Sequence, residues 1–369
     1  MKKNVKRFVS MTMAMLVAAG SLAGCGGGGS ASTGESAKAA ANTGGSSGGA
    51  VTVKVSLSQA ATEPPVKAAE YFKEIVEERS NGEIKVEIYP DNQLGNERDV
   101  IEGMQLGTVE MAMTSVAPFS SFVPSVNIFC LPFLWRDKEH MYSVLDSDEI
   151  GMSYSGDCEE KGFHLMGFLD LGTRHIMTTQ KTINSIEDLK NLKIRTMENQ
   201  VQLDSFTAFG ASPLPMAYGE LYTALQQNII DGAEAANTNY YSKKFYEAAP
   251  HWAMVGWTND LGICVVAKNF YDSLSDEHKQ IIDECTKEMI DKERELYTAS
   301  EDECLELLNG EGIEITEPDR EPFIEAAQSV YDQWGDKVGG RDKIDAKQIS
   351  HRDTLHQSTN THRQAAAKL

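Results

Sequence analysis

Arg195 closes a short alternating run, Leu192 to Thr196, and an arginine so placed can hold an anion. Its guanidinium is a planar fork of donors that meets a carboxylate in two parallel hydrogen bonds, and the pair gains strength in a cleft poor in water. Taken alone, a strand-end arginine serves an internal ion pair more often than a ligand, so its surroundings must decide. Asn199, at a helix start just beyond, is a further candidate donor. Outside a Gly/Ser-rich stretch the chain has no GxSxG, and it has no HExxH, no P-loop and no metal-spaced histidine pair. No catalytic, cofactor or metal motif of the usual kind is therefore offered, although an enzyme built from scattered residues stays open.

The elements around Arg195 must present it. Ser185, with Asp188 three residues on, opens a short helix that Asn191 closes. After the Leu192–Thr196 strand, Val201, Leu203, Phe206 and Phe209 mark a helical face ended by Gly210. A proline-bearing segment, 212–217, leads to a helix over 220–227 and a short apolar strand over 229–233. This rhythm is that of a parallel α/β layer, whose ligands lie off the carboxyl ends of the strands. Residues 51–57, 64–82, 84–88 and 109–113 repeat it, with a helix carrying Val100, Ile101 and Met104 before the last strand. Two α/β domains follow from this repetition. The apolar stretch 124–135 reads as core and interdomain packing, and 175–179 and 261–267 as strands. Ser275 caps a helical pattern reaching Asn309-Gly310, ~50 Å long at 1.5 Å per residue and able to span both domains. A last helix carries Phe323, Val330, Tyr331 and Trp334.

The 369 residues carry 34 basic and 55 acidic groups, a net charge of −21. Such an excess of acid argues against nucleic acid and anionic lipid as partners. Screening over ~8 Å leaves room for a small anion at a locally positive site. Lys2, Lys3, Lys6 and Arg7 precede an apolar run over about 8–22, the pattern of an export signal rather than of a membrane span. Leu22-Ala23-Gly24-Cys25 resembles a lipobox, in which the cysteine receives lipid after cleavage. Loss of residues 1–24 leaves 30 basic against 55 acidic residues, or −25. Residues 26–50 are nearly all Gly, Ser, Ala and Thr, a flexible tether with a reach of roughly 25–30 Å. The other five cysteines show no CxxC spacing and read as small buried apolar residues, with room for one disulfide.

Leu192-Lys193-Ile194-Arg195, Gly210-Ala211-Ser212-Pro213, Pro215-Met216, Glu220-Leu221-Tyr222, Ala224-Leu225-Gln226 and Asp231-Gly232-Ala233-Glu234 occur in an order and spacing that resembles the solute receptors of tripartite ATP-independent periplasmic (TRAP) transporters, the DctP family. The likeness extends more loosely over about 51–334. It implies a two-lobed α/β fold of the periplasmic-binding-protein kind, with the ligand cleft between the lobes and a long C-terminal helix across both. The expected domains are a signal peptide (1–24), a lipidated Cys25 with its tether (25–50), lobe I (51–172 plus about 261–300), lobe II (173–260 plus about 301–338) and a polar tail (339–369). By the same resemblance Arg195 pairs with a ligand carboxylate. Arg174 matches a second family arginine, although one extra residue separates it from Arg195. Tyr218 matches an aromatic under the ligand; it can stack and hydrogen-bond at once. Ser58 and Ser115, at strand ends, and Glu97, in the Gln93-Leu94-Gly95 turn region, are expected to face the ligand. Sialic-acid receptors carry an asparagine after the glutamate of the last motif. Here that position is Ala235, which argues against sialic acid, with Asn237 and Asn239 as replacement polar contacts.

The expected function is a lipid-anchored receptor on the outer face of the cytoplasmic membrane. It would capture a small organic carboxylate, of C4-dicarboxylate or sugar-acid class, for the small and large TRAP membrane subunits. An extracytoplasmic enzyme acting on a carboxylate, or a ligand receptor for a sensor kinase, stand as alternatives.

Overall fold

In the computed structural model, residues 50–339 are described. Cys25 with its lipobox and all of the tether but residue 50, and all but the first residue of the tail expected over 339–369, lie outside them. The chain runs β1 (Val51–Leu57), α1 (Pro64–Arg79), β2 (Ile84–Tyr89), α2 (Glu97–Leu106), β3 (Met111–Ser115), α3 (Val116–Phe119), α4 (Lys138–Leu145), α5 (Ser155–Glu160) and β4 (Phe163–Thr178). It continues through β5 (Lys193–Thr196), α6 (Gln200–Ala208), β6 (Ser212–Pro215), α7 (Leu221–Gln226), β7 (Gly232–Ala235), α8 (Asn237–Ser242), β8 (His251–Ala267), α9 (Lys268–Ser273), α10 (Asp276–Gly310), β9 (Glu314–Thr316) and α11 (Glu321–Trp334).

The strands form one sheet in the order β2-β1-β3-β8-β4-β7-β5-β6, with β9 beside β8. At one end β1 runs parallel to β2 and β3, and at the other β5 runs parallel to β6 and β7. Between them β4 and β8 pair antiparallel over nearly their whole lengths of 16 and 17 residues. The sequence showed only parts of these two strands, 175–179 and 261–267. Their remaining halves are broken by register shifts, one of them between Asp170 and Thr173, and hold Asp170, Arg174, Asn259 and Asp260 mid-strand. Such polar positions interrupt the alternation by which a strand is read.

Each half of the sheet is packed on both faces. Leu261, Ile263 and Val265 of β8 enter one core cluster and Cys264 and Val266 another, the period-two alternation of a strand buried on both sides. In the second half Ala253, Val255 and Trp257 face Phe206, Phe209 and Phe323, while Trp252 turns to Tyr240 and Leu308. The segment Pro124–Cys130 is a 3-10 helix whose Val126, Ile128 and Phe129 join the first-lobe core.

Helix α10 follows the sequence closely. Ser275 accepts from the His278 N–H at its start, and the helix runs 35 residues. Ile282, Cys285 and Met289 pack under β1 and α1, whereas Leu308 packs in the second lobe. Between these ends its polar side chains grip the crossing strand: Glu293 accepts from the Asp170 N–H at 3.1 Å, Arg294 donates to the Phe168 carbonyl at 2.9 Å and Glu301 accepts from the Thr173 N–H at 3.0 Å. Gly172 sits among them with φ +86°, and a Cβ there would lie 2.5 Å from the Tyr297 hydroxyl, so the crossing needs glycine. Helix α11 reaches two core clusters along its length. Phe323 and Ala327 join the cluster around Phe206 and Trp257, while Val330, Tyr331 and Trp334 join the one around Phe129 and Phe163, where the Tyr331 hydroxyl donates to the Pro132 carbonyl at 2.7 Å. The five cysteines of the described residues are buried and unpaired, as free apolar fillers.

Candidate functional site

The carboxyl ends of β1, β3 and β5 meet the crossing strands around a cavity with an empty volume of about 410 Å³, mouth included. Ser58, Glu97, Ser115, Arg174, Arg195, Tyr218 and Asn239 of the sequence-derived set line it. Gln59, Glu63, Leu171, Met197, Asp260 and Tyr297 line it as well. Asn199 and Asn237 do not, because both amides are used by the fold. The Asn199 oxygen caps α6 on the Gln202 N–H, while its Nδ2 donates to Ser120 and Asn127 at 2.8 and 2.9 Å. Asn237 accepts from the Trp252 indole N–H at 3.1 Å.

The two arginines are buried and arranged around Glu234, which is itself wholly buried. Arg174 donates Nε to Glu234 Oε2 at 2.6 Å and Nη2 to the Glu234 carbonyl at 3.1 Å. Arg195 donates Nε and Nη2 to the Met216 carbonyl at 2.9 and 2.7 Å. Its Nη1 lies 3.5 Å from Glu234 Oε1 and makes no hydrogen bond. Burial works against both charges. Glu234 and Asp260 more than offset it for Arg174, whose pKa stands above that of an ordinary arginine. For Arg195 burial prevails, Arg174 adds repulsion, and the pKa falls below the ordinary value. Arg174 is thus hydrogen-bonded to Glu234, whereas Arg195 only approaches it, and among the described residues Arg195 Nη1 and Glu234 Oε1 are both left without a hydrogen bond.

The acids around them are displaced the other way. Burial raises the pKa of Glu97, although the Ser115 N–H and Thr114 hydroxyl donate to its Oε1. Burial likewise raises Glu63, against the Ala60 N–H and the Ser242 hydroxyl on its Oε1. Asp260, which accepts from Ser115 Oγ at 2.8 Å, is pushed up to about 7 by burial, with Arg174 pulling the other way. The Tyr218 hydroxyl has no hydrogen-bond partner among the described residues, and burial followed by Glu63 pushes its pKa well up.

Asp260 carries a pH prediction. Its folded pKa lies above the unfolded one, so the native state keeps a proton that the unfolded chain has released. Its contribution is full below about pH 4 and is lost as pH rises through about 7. Asp260→Asn, which keeps an acceptor for Ser115, escapes that loss. It should gain on the wild type by an order of 1–3 kcal/mol between pH 5 and pH 8. The difference also cancels His175, buried neutral with its pKa lowered to about 3. Melting curves across that range check it, and a flat difference rules it out.

Among the described residues no cluster of His, Cys, Asp and Glu could hold a metal ion. No described helix is long and apolar enough to cross a membrane.

The family model for bacterial extracellular solute-binding proteins, family 7 (DctP), matches residues 55–337. The 2,3-diketo-L-gulonate-binding periplasmic protein of Escherichia coli is 30% identical over 278 residues, 75% of this chain and 84% of that one. A TRAP periplasmic solute-binding protein from Polaromonas sp. JS666, bound to D-erythronate, superposes with a TM-score of 0.78 at 30% identity, covering 81% of this chain and 98% of that one. One from Sulfurospirillum deleyianum, with bound succinate, gives a TM-score of 0.77 at 29% identity over 81% and 98% of the two chains.

Proposed function

The chain belongs to the family-7 extracellular solute-binding proteins, the receptors of TRAP transporters, and from that premise we propose that it captures a small organic carboxylate on Arg195 and delivers it to TRAP membrane subunits. It is a periplasmic binding protein and not an enzyme, as its relatives are. The observation that carries the ligand reading is Arg195 Nη1, fully buried, without a hydrogen-bond acceptor and lining a cavity between two lobes. A ligand carboxylate bonded to Nη1 and to the second proton of Nη2 supplies what this charge lacks. Closure then follows from the ligand favouring the closed state over the open one.

Thermal unfolding of the ligand-free protein against a panel of sugar acids and dicarboxylates tests this. A ligand at 100 times its dissociation constant adds about 2.7 kcal/mol. A stabilising shift from carboxylates, and none from the matching neutral polyols, is expected. No shift with any carboxylate would remove the proposal.

The lipid anchor is a separate proposal and rests on Leu22–Cys25 alone. Periplasmic delivery needs no anchor, and the relatives are described only as periplasmic. A diacylglycerol mass on the peptide beginning at Cys25 is the expected finding. A free thiol there would dismiss it.

A further inference from the structure

Arg174 and Arg195 are the cationic side chains lining the cavity, and Arg174 already gives Nε and Nη2 to Glu234. The other ionisable carboxyls on its wall are Glu63, Glu97 and Asp260. Nearby Lys243 pairs with Asp91. The wall therefore offers one place for an anion and several acceptors for hydroxyl donors.

Glu63 differs from the other two acids. Glu97 and Asp260 are each held from Ser115, and Asp260 also feels Arg174. Glu63 forms no ion pair among the described residues, and the pull of Lys243 on it is opposed by Asp91. Its donors are neutral, the Ala60 N–H and the Ser242 hydroxyl, and both end on Oε1 at 2.9 Å. Its Oε2 receives no protein donor among the described residues. Glu63 stands just before α1 in the first lobe and Ser242 ends α8 in the second, so Glu63 is fixed wherever the lobes meet.

We infer that the cavity selects a ligand with one carboxylate on a polyhydroxyl chain, and that Glu63 accepts from its hydroxyls and excludes a second carboxylate. This rests on the carboxylate reading proposed above. A hydroxyl donates a proton to Glu63 Oε2. A second carboxylate brings only acceptors, and its charge would be buried among Glu63, Glu97 and Asp260 with no further cation on the wall to pair it.

Calorimetric titration with chemically matched pairs decides it: D-gluconate against D-glucarate, and D-galactonate against galactarate, with succinate added. Each pair differs only in a terminal hydroxymethyl or carboxylate. The mono-acid of at least one pair should bind about 100-fold or more tighter than its diacid. In Glu63→Gln, whose amide donates to a carboxylate, that ratio should shrink about ten-fold or more. If Glu63→Gln does not fold, Glu63→Ser reads the same ratio. A diacid or succinate binding as tightly as the mono-acids overturns the inference and leaves the carboxylate function standing. A large ratio unchanged in the variants overturns the role of Glu63. Binding of no carboxylate at all, by protein shown to be folded, takes down the carboxylate function and this inference with it.

Discussion

Arg195→Ala is expected to weaken carboxylate binding severely while the protein still folds. Truncating one partner of a buried, hydrogen-bonded charge pair costs about 2–5 kcal/mol, roughly 30- to several-thousand-fold in dissociation constant. The loss should fall toward the upper end. Arg195 is 1% exposed, and Arg174, the other cation of the cavity, is already bonded to Glu234. Arg195→Lys should not restore affinity, because a single ammonium cannot span both the Met216 carbonyl and a ligand fork. Calorimetry on whichever carboxylate stabilises the wild type measures the effect, with circular dichroism to verify the fold. An Arg195→Ala protein that binds within three-fold of wild type would show that the anion sits elsewhere.

Glu234→Ala is expected to be the most damaging single change to stability in the site. It leaves two buried guanidinium groups facing each other with their shared anion gone. Breaking a buried pair from one side costs about 3–5 kcal/mol, because the desolvated charge remains. Here that charge is doubled, since Arg174 loses a 2.6 Å bond and Arg195 its 3.5 Å neighbour. Glu234→Gln should cost less, as the amide oxygen still accepts from Arg174 Nε. A saturating carboxylate ligand should return part of the loss in Glu234→Ala, because it supplies the missing negative charge. Urea unfolding with and without ligand reads all three. A cost below ~1 kcal/mol for Glu234→Ala would mean that the arginines relax into solvent.

The local elements were legible wherever one physical rule dominated. The 51–57 strand alternates, the Pro64-Pro65 start is tolerated where an N–H is unpaired anyway, and Ser275 caps a long apolar stripe. Arg195 was legible too, because it ends a strand inside a dense set of family motifs. Tyr218, Ser58, Ser115 and Glu97 lie where motif order suggested, around the cavity. Asn199 and Asn237 misled because an asparagine at a helix start is equally a cap or a packing amide. Which of these it becomes depends on groups far along the chain, such as Ser120, Asn127 and Trp252. Helix α11 shows one apolar stripe, Phe323, Ala327, Val330 and Trp334, and which core each end of that stripe enters is not written in its own residues.

From the sequence alone came the α/β class, the family, the long helix and the arginine that the structure buries on the cavity wall, all carried by short-range patterns. The tertiary structure alone decided how charge is shared. Glu63, Asp260 and Tyr297 stand far apart in the chain, before a helix, on a crossing strand and in the middle of a helix, and none carries a motif. Only the closure of nine strands into one sheet brings them against Arg174 and Arg195. The same closure makes Glu234 the arginines' common partner and leaves one guanidinium with a donor unmet. Burial makes such assignments costly enough to matter, and burial is a property of the fold and not of any segment.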